Sequence, residues 1–185
     1  MHSGSLPSAW ITRFAPLVPR NGTALDVACG TGRHARHMQS LGLQVTGLDR
    51  DAAAIDGLRG DTQGEWIVAD IENAPWPLPH QQFDAVVVTN YLWRPLWPHI
   101  LDSVAAGGLL LYETFAAGNE AFGKPSRADF LLQPGELLQV CAGWHIVAFE
   151  QGRLTAPDRV VQRIAARKPG ADSDDETPSS LVYPA

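Results

Sequence analysis

From about residue 24 to residue 166, short apolar runs alternate with stretches of helical periodicity, the pattern of a parallel sheet covered by helices. The runs predict seven strands: Ala24–Ala28, Gln44–Asp49, Trp66–Asp70, Phe83–Thr89, Leu109–Thr114, His145–Glu150 and Arg159–Ala166. A helix over about Gly32–Leu41 separates the first two, and Gly42 follows it where a positive φ is cheap only for glycine. A second helix follows Asp49 and runs to about Leu58. A third starts near Arg94, with Pro95 in its first turn and an apolar face of Leu96, Trp97, Ile100, Leu101 and Val104. Another begins near Pro134 and is expected to carry Leu137, Leu138 and Cys141 inward, and one more is expected over about Pro7–Val18. The last two strands are joined too closely for a crossover helix, which predicts an antiparallel hairpin at the sheet edge.

Three segments leave this alternation. Ile71–Gln82 carries Pro75, Pro77 and Pro79, which argues against a full crossover helix. Phe115–Gln133 is long for a connection in a compact domain, and such loops serve as lids or docking loops. Residues 169–185 are rich in Pro, Ser, Asp and Glu, the composition of a disordered tail, which leaves residues 1–168 as one domain.

Charge narrows the partners. The 185 residues hold 14 Lys and Arg against 20 Asp and Glu, a formal net charge of −6. Asp172, Asp174, Asp175 and Glu176 of the tail account for most of it, so the remainder lacks the basic footprint of a duplex nucleic acid binder. Cys29 and Cys141 are too few for a disulfide framework, no apolar stretch is long enough to span a bilayer, and Arg13, Pro16, Pro19 and Arg20 interrupt any leader-like run. The expectation is a soluble cytoplasmic protein. No oligomeric state is implied.

The candidate chemistry begins where a buried strand runs into Gly30-Thr31-Gly32 and a helix opens behind it. Glycines there let a ligand approach the backbone closely, and the helix start offers free N–H groups. Asp49 ends the next strand at a distance that suits a carboxylate accepting from ribose hydroxyls, and Asp70 ends the third. Ligands sit beyond the carboxyl ends of parallel strands, so Asp26, the glycine loop, Asp49 and Asp70 should converge on one crevice. The run Gly30-Thr-Gly-Arg-His-Ala35 also fits the dinucleotide fingerprint of a nicotinamide-dependent oxidoreductase. Asp26 argues against that reading, because a carboxylate beside the loop repels a pyrophosphate and attracts an ammonium group. A crevice for adenosine, ribose and a cationic amino-acid tail describes S-adenosylmethionine.

The run Leu-Asp-Val-Ala-Cys-Gly-Thr-Gly32, with Gly-Leu-Asp49, Ala-Asp70 and Phe-Asp-Ala-Val-Val-Val-Thr-Asn90, resembles the class I S-adenosylmethionine-dependent methyltransferases in their small single-domain bacterial form. The resemblance implies a three-layer Rossmann-like α/β sandwich whose mostly parallel seven-stranded sheet has its last strand antiparallel. It implies that Asp26 and Gly30 face the methionine moiety, that Gly32 permits the tight turn, that Asp49 holds the ribose, and that Asp70 with the Ile71 backbone meets the adenine. Asn90 completes this set, and Ala28 stands where the family often has its first glycine.

Substrate-side candidates follow the fourth and fifth strands. Asn90-Tyr91 lacks the prolines of the amino-methylating members, so methylation of DNA bases loses support. Tyr91 and Glu113 are candidates for catalysis or substrate contact, and Arg94 and Lys124 for holding an anionic substrate. A general base is needed only if the nucleophile must first lose a proton. Core packing is an equal account of Tyr91 and Glu113, and Trp93 and Trp97 read as anchors of their helix. Asp70 could serve only to cap the proline-rich turn. His34 and His37 have no acid or cysteine at ligand spacing, so no metal is expected, and Cys29 reads as a packing residue. The sequence therefore points to methyl transfer onto a small-molecule acceptor. The rival readings are a macromolecular acceptor reached through a partner, the oxidoreductase, and a cofactor-binding subunit without turnover.

Overall fold

A computed structural model describes residues 6–170, and the tail expectation for residues 171–185 lies outside them. After α1 (Ala9–Phe14) and a 3₁₀ turn (Ala15–Leu17), the chain forms β1 (Thr23–Val27), α2 (Arg33–Ser40), β2 (Gln44–Asp49), α3 (Ala52–Asp61) and β3 (Glu65–Val68). It continues through β4 (Phe83–Thr89), a 3₁₀ turn (Arg94–Leu96), α4 (Trp97–Asp102), β5 (Val104–Phe115), α5 (Glu136–Val140), β6 (His145–Leu154) and β7 (Arg159–Arg167). One seven-stranded sheet has the order β3-β2-β1-β4-β5-β7-β6. Pairs among β1 to β5 are parallel, whereas β7 runs antiparallel to both β5 and β6. The expected hairpin is therefore present, with β6 at the edge and β7 inserted beside β5.

Alternation along the buried strands divides the core into two layers. Ala24, Val45, Ala85, Val87, Leu109, Leu111 and Ala165 face α1, α2 and α3 and pack on Trp10, Phe14, Ala35, Met38, Ile55 and Leu58. Leu25, Val27, Leu48, Val86, Val88, Leu110, Tyr112 and Ile164 face the other way, onto Leu92, Leu96, Ile100, Leu137 and Cys141. Both faces are covered, which is why these strands read as continuous apolar runs.

Two helix expectations need correction. Val104 belongs to β5, which reaches back past Gly107 and Gly108 with a register shift opposite Phe83–Ala85, so α4 ends at Asp102. Leu138 is 40% exposed, because α5 is only five residues long and turns just Leu137 inward before Cys141. The proline-rich stretch after β3 forms turns and no helix, as expected.

Candidate cofactor site

Three strands deliver the glycine loop and the two acids to one end of the sheet. The β1 register pairs Asp26 with Gly47 and Val27 with Leu48 of β2, so the chain leaves both strands at the same level. Ala28, Gly30 and Gly32 then take positive φ values of 54°, 52° and 77°. A Cβ on Gly32 would collide with Leu58 of α3, whereas one on Gly30 would meet nothing within 4 Å. Gly32 therefore serves packing, and Gly30 serves open space beside the loop.

Asp49 is the hinge of this arrangement. Its Oδ2 accepts from the Gly30 N–H at 2.8 Å and its Oδ1 from the Asp51 N–H at 2.9 Å. The carboxylate is thus oriented by backbone donors, and each oxygen keeps a lone pair for further donors. Asp49, Ala28, Asp70, Ile71 and Tyr91 share a cavity of about 190 Å³ with Arg50, Ala69 and Glu72. A wider open cleft of about 950 Å³ lies at the opposite end of the strands, lined by Gln39, Gln44, Gln63, Gln81 and Gln82, away from Asp26, Asp49 and Asp70.

Asp26 stands behind the loop rather than on the cavity wall. It is 1% exposed, and its Oδ2 accepts from the Ala35 N–H at 3.0 Å, fastening the first turn of α2 to β1. Burial raises its carboxyl to about 7, partly offset by the Ala35 hydrogen bond. Asp70 combines both of its readings: it lines the cavity and also caps the following turn, accepting from the backbone of Glu72 and Asn73 and from Asn73 Nδ2 at 2.9 Å. The Asn73 side-chain bond chiefly holds it below the usual carboxylate range.

Asn90 follows β4 with φ 53°, a left-handed conformation that is costly for a non-glycine residue, and its N–H donates to the Glu113 carbonyl at 2.9 Å. Tyr91 comes next. Its hydroxyl is buried beside Glu72, and burial together with the Glu72 charge pushes its pKa up, so the phenol stays protonated.

The remaining substrate candidates are dispersed. Arg94 is a clamp and is not open to an anionic ligand: Nε and Nη2 grip the two oxygens of Glu136 at 2.6 and 2.9 Å, Nη1 bonds the Asp129 carbonyl and Nη2 the Leu131 carbonyl. Together with the Ala116–Leu132 bridge, it fastens the neck of the 115–133 loop to the body. Lys124 is exposed on that loop. Glu113 is 4% exposed and already engaged, accepting from Ser8 Oγ at 3.0 Å and from Arg163 Nη1 at 3.3 Å. Trp93 and Trp97 pack against the core, and burial pushes the Cys29 thiol up, which suits a packing role. Among the described residues, no three His, Cys, Asp or Glu side chains are placed to hold a metal ion.

Sequence reasoning missed Glu72, Arg50, Ser8 and Arg163. Glu72 and Arg50 each follow a named acid within two residues and were legible as neighbours. Arg163 is a direct cross-strand partner of Glu113, a relation that exists only once β5 and β7 are in register.

Comparison with known proteins agrees with this fold. A family model described as a methyltransferase domain matches residues 24–107. No curated protein sequence matches the chain. Among solved structures, TehB from Haemophilus influenzae superposes with a TM-score of 0.75 at 19% identity, covering 90% of this chain and 64% of its own, so the chain spans about two thirds of that protein's length. The N-methyltransferase NodS from Bradyrhizobium japonicum gives 0.67 at 15% identity, covering 86% of this chain and 92% of its own. The plantazolicin methyltransferase BpumL, solved with S-adenosylhomocysteine, gives 0.61 at 13% identity, covering 86% and 81%.

Proposed function

We propose, from the premise that the chain belongs with the class I S-adenosylmethionine-dependent methyltransferases, that it methylates a small-molecule acceptor at the carboxyl ends of β1, β2 and β4. The observation that carries the reading is the Asp49 carboxylate, pinned by the Gly30 and Asp51 N–H groups and turned onto a cavity shared with Asp70, Ile71 and Tyr91. Bound there, S-adenosylmethionine supplies a methyl group made electrophilic by its sulfonium.

The chain's own residues bind and orient. Asp49 accepts from the ribose hydroxyls with a carboxylate that needs no reorientation, since two backbone donors already fix it. Asp70 and the Ile71 backbone border the adenine end of the cavity, and Tyr91, just after β4, closes it with a phenol that keeps its proton and so can donate as well as accept. Gly30 leaves room for the methionine chain where any side chain would intrude. Asp26 acts through space: an ammonium near the loop favours its ionised form, and its buried charge in turn favours the ammonium. In-line transfer then asks chiefly for alignment in a water-poor pocket, worth roughly 7–11 kcal/mol in favourable cases.

A small acceptor is supported by the 115–133 loop, which is tied to the body by Arg94 and closed at its neck by the Ala116–Leu132 bridge and so is no open docking arm. It also agrees with two structural neighbours, described as an N-methyltransferase and as a methyltransferase of plantazolicin. Titration of the protein with S-adenosylhomocysteine in a calorimeter tests the donor site without knowledge of the acceptor. Binding near micromolar, about −8 kcal/mol, is expected. Well-folded protein that ignores the ligand and binds NADH instead would reverse the assignment. With binding established, a screen of small nucleophiles with radiolabelled methyl donor tests the acceptor class, and transfer seen only with macromolecular fractions would refute the small-molecule reading.

A further inference from the structure

A buried polar chain at the ends of β4 and β5 lies outside the donor cavity. Ser8 caps α1, its Oγ accepting from the Trp10 N–H at 3.1 Å and donating to Glu113 Oε1 at 3.0 Å. The Ser8 backbone N–H donates to His34 Nε2 at 3.1 Å. That bond assigns the tautomer: Nε2 carries no proton, so the neutral ring donates its Nδ1–H to Thr89 Oγ1, also at 3.1 Å. The imidazole is 2% exposed, and both of its nitrogens are satisfied.

Two of the three elements that meet at this ring lead directly into the donor site. His34 stands in the first turn of α2, next to Ala35, whose N–H holds Asp26, and two residues after Gly32. Thr89 is the last residue of β4, directly before the left-handed Asn90 and the cavity-lining Tyr91. Ser8 belongs to a segment remote in sequence, and Trp10 behind it packs in the same cluster as Cys29 of the glycine loop. A strained residue such as Asn90 persists only where its surroundings over-determine it, and the Thr89 bond is part of that surrounding.

We propose that His34 is a positioning residue for the donor site: by bonding Ser8 and Thr89 at once, it locks the N-terminal helix against the glycine loop and fixes the Asn90–Tyr91 turn, so that donor affinity depends on the docked N-terminus. The inference rests on reading the cavity as the S-adenosylmethionine site.

Calorimetric titration of the full chain with S-adenosylhomocysteine, repeated on four variants, tests it. Ser8 has φ −57°, which a proline ring accepts, so Ser8→Pro removes its N–H without redirecting the backbone but also takes away the Oγ that caps α1 and bonds Glu113; Ser8→Ala, which loses the Oγ alone and should bind as wild type does, is its control. His34→Leu removes both ring bonds, and His34→Gln restores one acceptor and one donor. His34→Leu and Ser8→Pro are expected to weaken binding by about tenfold, His34→Gln to recover to within about threefold of wild type, and tryptic cleavage after Arg13 to accelerate only in the first two. Equal affinity in wild type and folded Ser8→Pro overturns the proposal, as does His34→Gln as weak as His34→Leu, which would make the effect one of packing. If His34→Leu fails to fold, Ser8→Pro decides. A wild-type protein that does not bind overturns the donor-site reading, and this inference with it.

Discussion

The two polar centres at the carboxyl end of the sheet are built in opposite ways. Around the proposed donor cavity, the acids come from short contiguous runs, and the main chain orients them: Gly30 and Asp51 N–H groups hold Asp49, and the Ala35 N–H holds Asp26. On the other side, Ser8, His34, Thr89, Glu113 and Arg163 come from five separate elements and hold one another through side chains. The first survives as long as the strand–turn–helix survives. The second exists only while the N-terminal segment, β5 and β7 are all in register, so it reports on tertiary assembly.

That contrast breaks most sharply at Arg163. Arg163→Met would strand the buried Glu113 carboxylate with a single hydroxyl donor, and a loss of about 3–5 kcal/mol in denaturant unfolding is expected. Adding Glu113→Gln to the Arg163→Met chain should recover most of that loss; no recovery would show that only the packing over Trp10 was lost. Asp49→Ala attacks the other centre and should spare stability while removing charge-assisted ribose bonds, each worth about 1.5–3 kcal/mol of donor affinity. Unchanged S-adenosylhomocysteine binding would refute the ribose assignment.

Acid titration sharpens the comparison, because each centre holds one buried group with a displaced pKa. Burial raises Asp26 to about 7, so the stability it contributes is complete below its unfolded value of 3.8 and is lost as the pH climbs to about 7. Burial lowers His34 to about 3, so its contribution is complete above 6.5 and is lost as the pH falls towards 3. The two slopes oppose one another between about pH 4 and 6.5. Asp26→Asn should therefore leave a stability that falls with acid, and His34→Gln one that falls with base. Parallel profiles in the two variants would contradict both assignments. The smallest effect is expected at Ala28, where the left-handed backbone strains an alanine: Ala28→Gly should gain about 1 kcal/mol in thermal unfolding, and a loss would mean that the methyl group packs.

The same contrast explains what could be read before any coordinates. Four strand-and-helix units, the hairpin and the glycine loop are legible because burial on both faces writes long apolar runs, and tight turns demand glycine. The errors fall where a local pattern was overruled at a distance. Val104 continued a helical stripe yet pairs with Phe83 across the sheet. Arg94 had the chemistry of an anion site but meets Glu136, a partner 42 residues away. His34 reads from the sequence only as a possible metal ligand, and nothing near it in sequence announces Ser8 or Thr89. Asp70 was the intermediate case, because its capping contacts lie within three residues and could be anticipated.

The Arg94–Glu136 fork has a consequence for redesign. Residues 116–132 look like a detachable module, closed at its neck by a single bridge, yet both members of its anchor lie outside it. A loop borrowed from another protein would be seized by Arg94 through carbonyl oxygens, which every sequence possesses, provided that its last turn offers two of them in the places of Asp129 and Leu131. An exchange must also keep Asn119 or its equivalent, because its buried side chain accepts from the Val160 N–H of β7 and donates to the Pro125 carbonyl; backbone shape at the neck and one amide together set the terms of a graft.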